Sequence, residues 1–224
     1  MRTVRIWINK EGRARYISHL DLNRCFARAV RRAGLKLWYT EGFNPHPYLN
    51  FLTPLSLGQE SETEPLDIKI ESGTTDSEIF ESLSHILPEG ITIKRVCEPI
   101  CPASEIAAAE YKAVLEFESA EKAASFIDIS RRAISSGTLF AEKHGKKGKK
   151  KAAKKINVCD GVLFFDAADD GKDVRLKMTL SAGNTSSLNP SLLLSALENE
   201  SGIKADFSLI RRIRLLKADG TDFE

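Results

Sequence analysis

The sequence predicts an α+β protein with two halves of similar plan, and three observations predict it. Residues 1–98 run through strand, helix, strand, strand, helix and strand, which is the order of a ferredoxin-like unit with an antiparallel sheet. A breaker-rich stretch at 98–108 follows, and the same order recurs more loosely over 109–224. At 224 residues with 42% hydrophobic content, each half can bury a core of its own. The expectation is therefore a tandem of two ferredoxin-like domains, 1–98 and 109–224.

Residues 3–8 alternate Val4, Ile6 and Ile8 with Arg5 and Trp7, a strand pattern. A short basic loop at 10–15 leads to a helix. Ser18 with Asp21 three residues on is a capping box that satisfies free backbone N–H groups at the helix start. Leu22, Phe26, Ala29, Val30 and Ala33 recur at helical spacing and form one apolar face. Arg24, Arg28 and Arg31 line a second face, and Gly34 stops the helix. Residues 35–39 are a short strand. Gly42, Phe43, Asn44, Pro45, His46 and Pro47 then gather a turn former, an aromatic, an amide and an imidazole around two prolines. Each proline removes a donor and restricts its predecessor, so the turn breaks helix and strand alike. That concentration makes it the leading candidate site.

Residues 48–57 are apolar and extended, with Pro54 pushing their end to an edge or bulge. An acidic loop leads into a strand at 66–70, a second helix occupies 76–87 and a strand 91–96. In the second half, strands at 111–117, 138–142, 158–165, 174–180 and 207–215 accompany helices at 120–135 and from Asn189-Pro190 to about 198. Asp169-Asp170-Gly171 is the turn between two of these strands.

Charge is unevenly spread. The formal net charge is +2, yet residues 1–40 hold ten Arg or Lys against Glu11 and Asp21, and residues 59–90 hold nine acids against Lys69 alone. Residues 143–155 hold eight lysines and no acid. That asymmetry points toward a polyanionic partner. The lysine tract is a flexible loop by composition, and Lys146, Lys147, Lys149, Lys150 and Lys151 would clamp a phosphate backbone in a salt-dependent way. Arg211, Arg212 and Arg214 on the last strand would add to it. Trp7, Trp38, Tyr39, Phe43 and Tyr48 lie close to basic positions and serve either as base-stacking platforms or as core, mostly the latter.

Cys97 and Cys101 lack the second pair that a structural zinc site needs, so no metal is expected. No phosphate-binding loop, nucleophile elbow or dinucleotide fingerprint is present, and no cofactor site is marked. The amino terminus carries no apolar signal region and no run is long enough to span a bilayer, which makes a cytoplasmic protein with reduced thiols the expectation. His85 and His144 read as solvated. His19 and His46, if brought together, would act as acid and base on a phosphodiester held by the arginines.

Over the segment from Tyr16 to Gly58, the run SHLDL, the arginine-bearing helix and GFNPHP fall in an order and spacing that resemble the radical-SAM-linked family of bacterial proteins. The resemblance extends through Glu64 and Asp67 and more loosely over most of the chain. It implies a radical SAM protein as partner and an RNA or ribosome context, without assigning an activity or catalytic residues. By position it points to Ser18, His19, Asp21, Arg31 and Gly42 through Pro47. Relatives place an acidic-Arg-Pro segment where this chain has residues 156–160, and an Arg where Asn189 stands. Three functions follow: an RNA-binding or substrate-presenting accessory to a radical SAM enzyme, favoured and non-catalytic; a metal-independent RNA-processing enzyme using His19 and His46; and a protein-binding adaptor whose basic face meets an acidic partner or the 59–90 segment.

Overall fold

The computed structural model describes residues 1–147, 150–183 and 186–224, with the side chains of 143–154 outside that description. The chain is α+β, with four α-helices and a mixed eight-stranded sheet among the described residues. It divides into two compact units, one of residues Met1–Glu105 with Arg211–Arg214 and Asp222–Glu224, the other of Ile106–Ile210 with Leu215–Thr221.

In the first unit the elements are β1 (Arg2–Lys10), α1 (His19–Arg32), β2 (Leu49–Phe51), β3 (Glu60–Ile70), α2 (Asp76–Ser84) and β4 (Ile91–Cys97), with a 3-10 helix at Gly12–Tyr16. β1 pairs antiparallel with β3 and β4, and β2 pairs antiparallel with β3. Val4, Ile6 and Ile8 face the side covered by α1 and α2, where Leu22, Phe26, Leu66, Ile68, Ile79 and Leu83 close the core. Residues opposite one another across a ladder share a face, so Arg5 and Asp67 stand together on the other side of the sheet.

In the second unit β5 (Ala108–Glu116), α3 (Ala120–Ser135), β6 (Phe140–Lys147), β7 (Lys150–Asn157), β8 (Val162–Asp170), β9 (Asp173–Ser181), α4 (Pro190–Ser201) and β10 (Phe207–Leu216) follow. The sheet order is β4-β1-β3-β10-β5-β9-β8, with β2 beside β3, while β6 and β7 make a separate hairpin. Asn189 is the N-cap of α4, its side chain accepting from the Ser191 N–H at 3.0 Å, with Pro190 in the first turn.

Three sequence expectations change. The strands of two expected antiparallel sheets form one mixed sheet, because β10 runs parallel beside β3, Arg211 opposite Glu60 and Arg212 opposite Ser61. Only Leu49–Phe51 of the extended 48–57 stretch becomes strand, paired with β3, and 35–39 makes isolated bridges, Leu37 to Ile70 and Tyr39 to Pro47. The lysine tract is paired rather than a loop: the backbone register runs from Phe140 opposite Asn157 to Lys147 opposite Lys150. Backbone hydrogen bonding there prevails over the weak strand preference of lysine.

The pairing also explains a set of buried charges. Between Ile8 and Lys10 the β1–β3 register shifts, so that two steps of β1 oppose three of β3, from Glu64 to Ser61. Such a bulge re-aims side chains, and here it brings Ser61 opposite Lys10, while Glu64, in step with Leu66 and Ile68, already lies on that face opposite Ile8. Arg212, alongside Ser61, donates from Nε to Glu64 at 3.0 Å and through Nη2 to the same carboxylate and to the Thr53 carbonyl at 2.8 Å. Both side chains are buried, at 3% and 1% exposure. Arg5 forks onto Asp67 at 2.8 and 3.0 Å, and its guanidinium lies 4.9 Å from the Phe223 ring centre. Arg212→Met leaves Glu64 buried without its main counterion and is expected to cost about 3–5 kcal/mol in urea unfolding, whereas adding Glu64→Met restores much of the loss.

Candidate nucleic-acid interface

Helix α1 forms for the local reasons the sequence carries. Ser18 is its N-cap, accepting from the Asp21 N–H at 3.2 Å and donating from its hydroxyl to the Asp21 carboxylate at 2.7 Å. The carboxylate reaches the hydroxyl rather than the Ser18 N–H, so the capping box is half made. That hydroxyl, then Arg24, holds the Asp21 carboxyl below its ordinary range. Leu22, Phe26, Ala29 and Val30 are buried, and Gly34 follows the helix at φ +69°, a left-handed conformation that favours glycine. Arg24, Arg28 and Arg31 are exposed. Arg24 meets Asp21 at 3.2 Å with both side chains more than half exposed, an arrangement of little energetic consequence. Among the described residues neither Arg28 nor Arg31 forms an ion pair or hydrogen bond.

The proline turn is the tip of a small hairpin. Tyr39 bridges Pro47, the Thr40 N–H donates to the His46 carbonyl at 2.9 Å, and the Tyr48 N–H donates to the Trp38 carbonyl at 3.0 Å. Trp38 is thus opposite Tyr48 and Thr40 opposite His46, and by the two-residue period of extended chain all four share one face. Trp38 and Tyr48 meet edge to face at 6.2 Å. The Lys69 ammonium, from β3, lies 4.8 Å from the Trp38 ring centre and 5.0 Å from that of Tyr48. Thr40 and His46 Nδ1 are 3.0 Å apart, and Nδ1 is 3.2 Å from the Asn44 carbonyl. The loop 41–45 turns through Gly42 at φ +137°, a conformation side-chain-bearing residues rarely adopt, and holds Phe43 fully in solvent at 106% exposure. Among the aromatics close to basic positions, Trp7 is core, at 6% exposure, and Phe43 is not.

His19 and His46 are not brought together. His19 stacks edge to face on Phe51 at 5.6 Å and takes a contact of 3.0 Å from the Asn23 amide at Nε2. His46 belongs to the hairpin beyond the other end of β2; between Pro47 and Phe51 lie four steps of extended chain, roughly 13 Å at ~3.3 Å each. Strand β2 therefore separates the two imidazoles. Instead, His19 stands in the fields of Lys10 and Glu64. Lys10, buried at 1% exposure, donates from Nζ to the Ile17 carbonyl at 2.9 Å and the Arg15 carbonyl at 3.4 Å, fixing the approach to α1. Its pKa is lowered chiefly by burial, against the opposing pull of Glu64.

Two of the last-strand arginines, Arg211 and Arg212, are held by buried carboxylates. Arg211 forks onto Glu60 at 3.0 and 2.6 Å, Arg212 is engaged by Glu64, and Arg214 meets Asp222 at 3.2 Å. Lys149 lies outside the described residues, as do the side chains of Lys146, Lys147, Lys150 and Lys151. A cavity of about 700 Å³ at the end of α1 is lined by Glu71, Glu78 and Glu81, a charge that repels phosphate. No group of three or more metal-ligating side chains forms among the described residues, and Cys97 and Cys101 are free thiols. Sequence reasoning missed Thr40 and Lys69. The mirrored spacing of Trp38-x-Thr40 and His46-x-Tyr48 about a five-residue loop was the available signal for Thr40, and the lone lysine of an acidic segment the signal for Lys69.

A family described as an uncharacterised protein conserved in bacteria, DUF2344, matches residues 3–190. The chain belongs to DUF2344. No curated protein matches this DUF2344 chain. Among solved structures it is similar to a Cbf5-Nop10-Gar1 complex, at 12% identity over 95% of this chain and 48% of that one, with a TM-score of 0.49. It is also similar to an H/ACA RNP bound to a substrate RNA containing 2'-deoxyuridine, at 12% identity over 87% and 43% and a TM-score of 0.43. An unknown protein from Galdieria sulphuraria is 11% identical over 94% and 98%, with a TM-score of 0.25. The chain spans about half the length, or less, of the first two. Among the described residues no helix is long and apolar enough to cross a membrane.

The lowered pKa of His19, caused first by burial and then by Lys10 against Glu64, predicts a pH dependence. The unfolded chain takes up the proton first, near the ordinary value of about 6.5. Stability is therefore full above that pH and falls as acidification proceeds toward the lower folded value. Urea midpoints at pH 7.5 and 5.0 should differ more in the wild type than in His19→Phe, which keeps the stack on Phe51 and cannot titrate.

Proposed function

We propose that this DUF2344 chain is a cytoplasmic, non-catalytic RNA-binding accessory that presents its substrate to a radical SAM enzyme. The observation that carries the RNA part is the division among the arginines. Arg5, Arg211, Arg212 and Arg214 are engaged by carboxylates, whereas Arg28 and Arg31 are exposed on one face of α1 without an ion pair among the described residues. Desolvating a guanidinium without a counterion is costly, so an exposed unpaired row suits a ligand that brings anions with it. Of the adaptor alternative, the basic amino-terminal stretch meets the acidic 59–90 segment through Arg2 with Asp76, Arg5 with Asp67 and Lys36 with Glu71, but Arg28 and Arg31 of α1 take no part in it. Catalysis by His19 and His46 has no support, given their separation along β2. The radical SAM partner rests on the family resemblance in the 16–58 segment. The strand order β4-β1-β3-β2 of the first unit supports reading it as ferredoxin-like; a first domain of 1–98 and a looser second of 109–224 remain our proposal.

Polarisation titrations against total small RNA at 50 and 200 mM salt test this. Binding should weaken steeply with salt, and changing Arg24, Arg28 and Arg31 together to Ala should lower affinity and flatten the log–log slope by about 0.7 for each lost contact to single-stranded RNA. Absence of binding at low salt would overturn the RNA reading and leave a protein partner.

A further inference from the structure

We infer that the hairpin 38–48 is a single-strand reader: its ligand is an unpaired stretch of RNA whose bases stack on the face made by Phe43, His46, Tyr48 and Trp38. This rests on the RNA-binding reading and narrows it to a class of substrate. The Phe43 ring keeps its full contact with water in the folded chain, so stacking a base on it would remove apolar surface from water that folding leaves exposed. Here the ring is presented by a turn held in place from below, through the Tyr39–Pro47 bridge, the Thr40 to His46 backbone bond at 2.9 Å and the paired contacts of His46 with Thr40 and Asn44. A preorganised aromatic loses little conformational entropy on binding.

The face below the tip has the composition that single-strand binding needs. His46 stands next to the cross-strand pair of Tyr48 and Trp38, and the Lys69 ammonium lies over both rings of that pair, 4.8 Å from the Trp38 centre and 5.0 Å from that of Tyr48. Flat rings accept any base because every base has a π-face, and a cation among them serves the passing phosphate. A duplex offers no such match: its bases are already stacked on one another, and inserting Phe43 between them requires unstacking. The strip carries no carboxylate, Glu41 in the loop being the nearest acid in sequence. The arginine face of α1, by contrast, makes no distinction between paired and unpaired strands.

The test uses the full chain, a fluorescein-labelled 12-nucleotide oligoadenylate, and the same strand annealed to oligouridylate. The single strand should bind at least about tenfold more tightly than the duplex, and Phe43→Ala should lose about tenfold or more on the single strand, the scale of one base–aromatic stack, while changing duplex affinity little. Phe43 packs on nothing, so the variant keeps the fold; identical urea midpoints check that. Equal affinity for both forms, or no effect of Phe43→Ala, overturns the single-strand inference while RNA binding stands. If neither form binds at 50 mM salt, the broader RNA reading falls and this inference falls with it.

Discussion

The pairing of Arg212 with Glu64 is the constraint on which the candidate binding face of the first unit depends. Glu64 lies on the core face because it is opposite Ile8 and in step with Leu66 and Ile68, and a carboxylate buried there without a counterion would be prohibitive. Arg212 supplies the charge from the parallel strand β10, and the same alignment sets Arg211 on Glu60, whose other oxygen accepts from the Gly12 N–H at 2.9 Å. Glu60 thereby ties down the 3-10 helix, and Lys10 holds its exit through the Ile17 carbonyl. The first turn of α1 starts from that anchored point. The direction of the arginine row is thus determined by charges that no ligand touches.

This arrangement divides chemically identical residues into two populations. On β1 and β10, Arg5 and Arg212 are buried against Asp67 and Glu64 and are structural. On α1 the guanidinium groups stand in water. Counting basic residues over 1–40 treats both alike, although Arg5 at 1% exposure and Arg28 at the surface have opposite consequences for a ligand. The acidic segment is likewise largely an internal partner of arginines, so the opposing charge blocks in the sequence are in part a folding device.

What was legible in the sequence is what local spacing determines. The N-cap of α1, its apolar stripe, its arginine face and the glycine that ends it all follow from residues within four positions of one another. That residues 42–47 form a turn was also legible, since their glycine and prolines break helix and strand alike. The face it belongs to was not. Its register depends on Tyr39 meeting Pro47, and its cation comes from Lys69 on another strand. Reading 35–39 and 48–57 as separate strands concealed the hairpin between them. The single mixed sheet was hidden for the same reason, as Arg211 and Glu60 are 151 positions apart. Composition misled most at the lysine tract, where charge repulsion argues for an open loop and the backbone pairs as β6 and β7.

The most direct measurement is photocrosslinking of the full chain to small RNA containing 4-thiouridine, with the adducted peptides located by mass spectrometry. Adducts should concentrate in residues 38–48, above all at Phe43 and Tyr48, with none on β10, where the arginines face carboxylates. Adducts confined to other surfaces, with residues 38–48 unmodified, would contradict the assignment of the hairpin as the RNA-binding face.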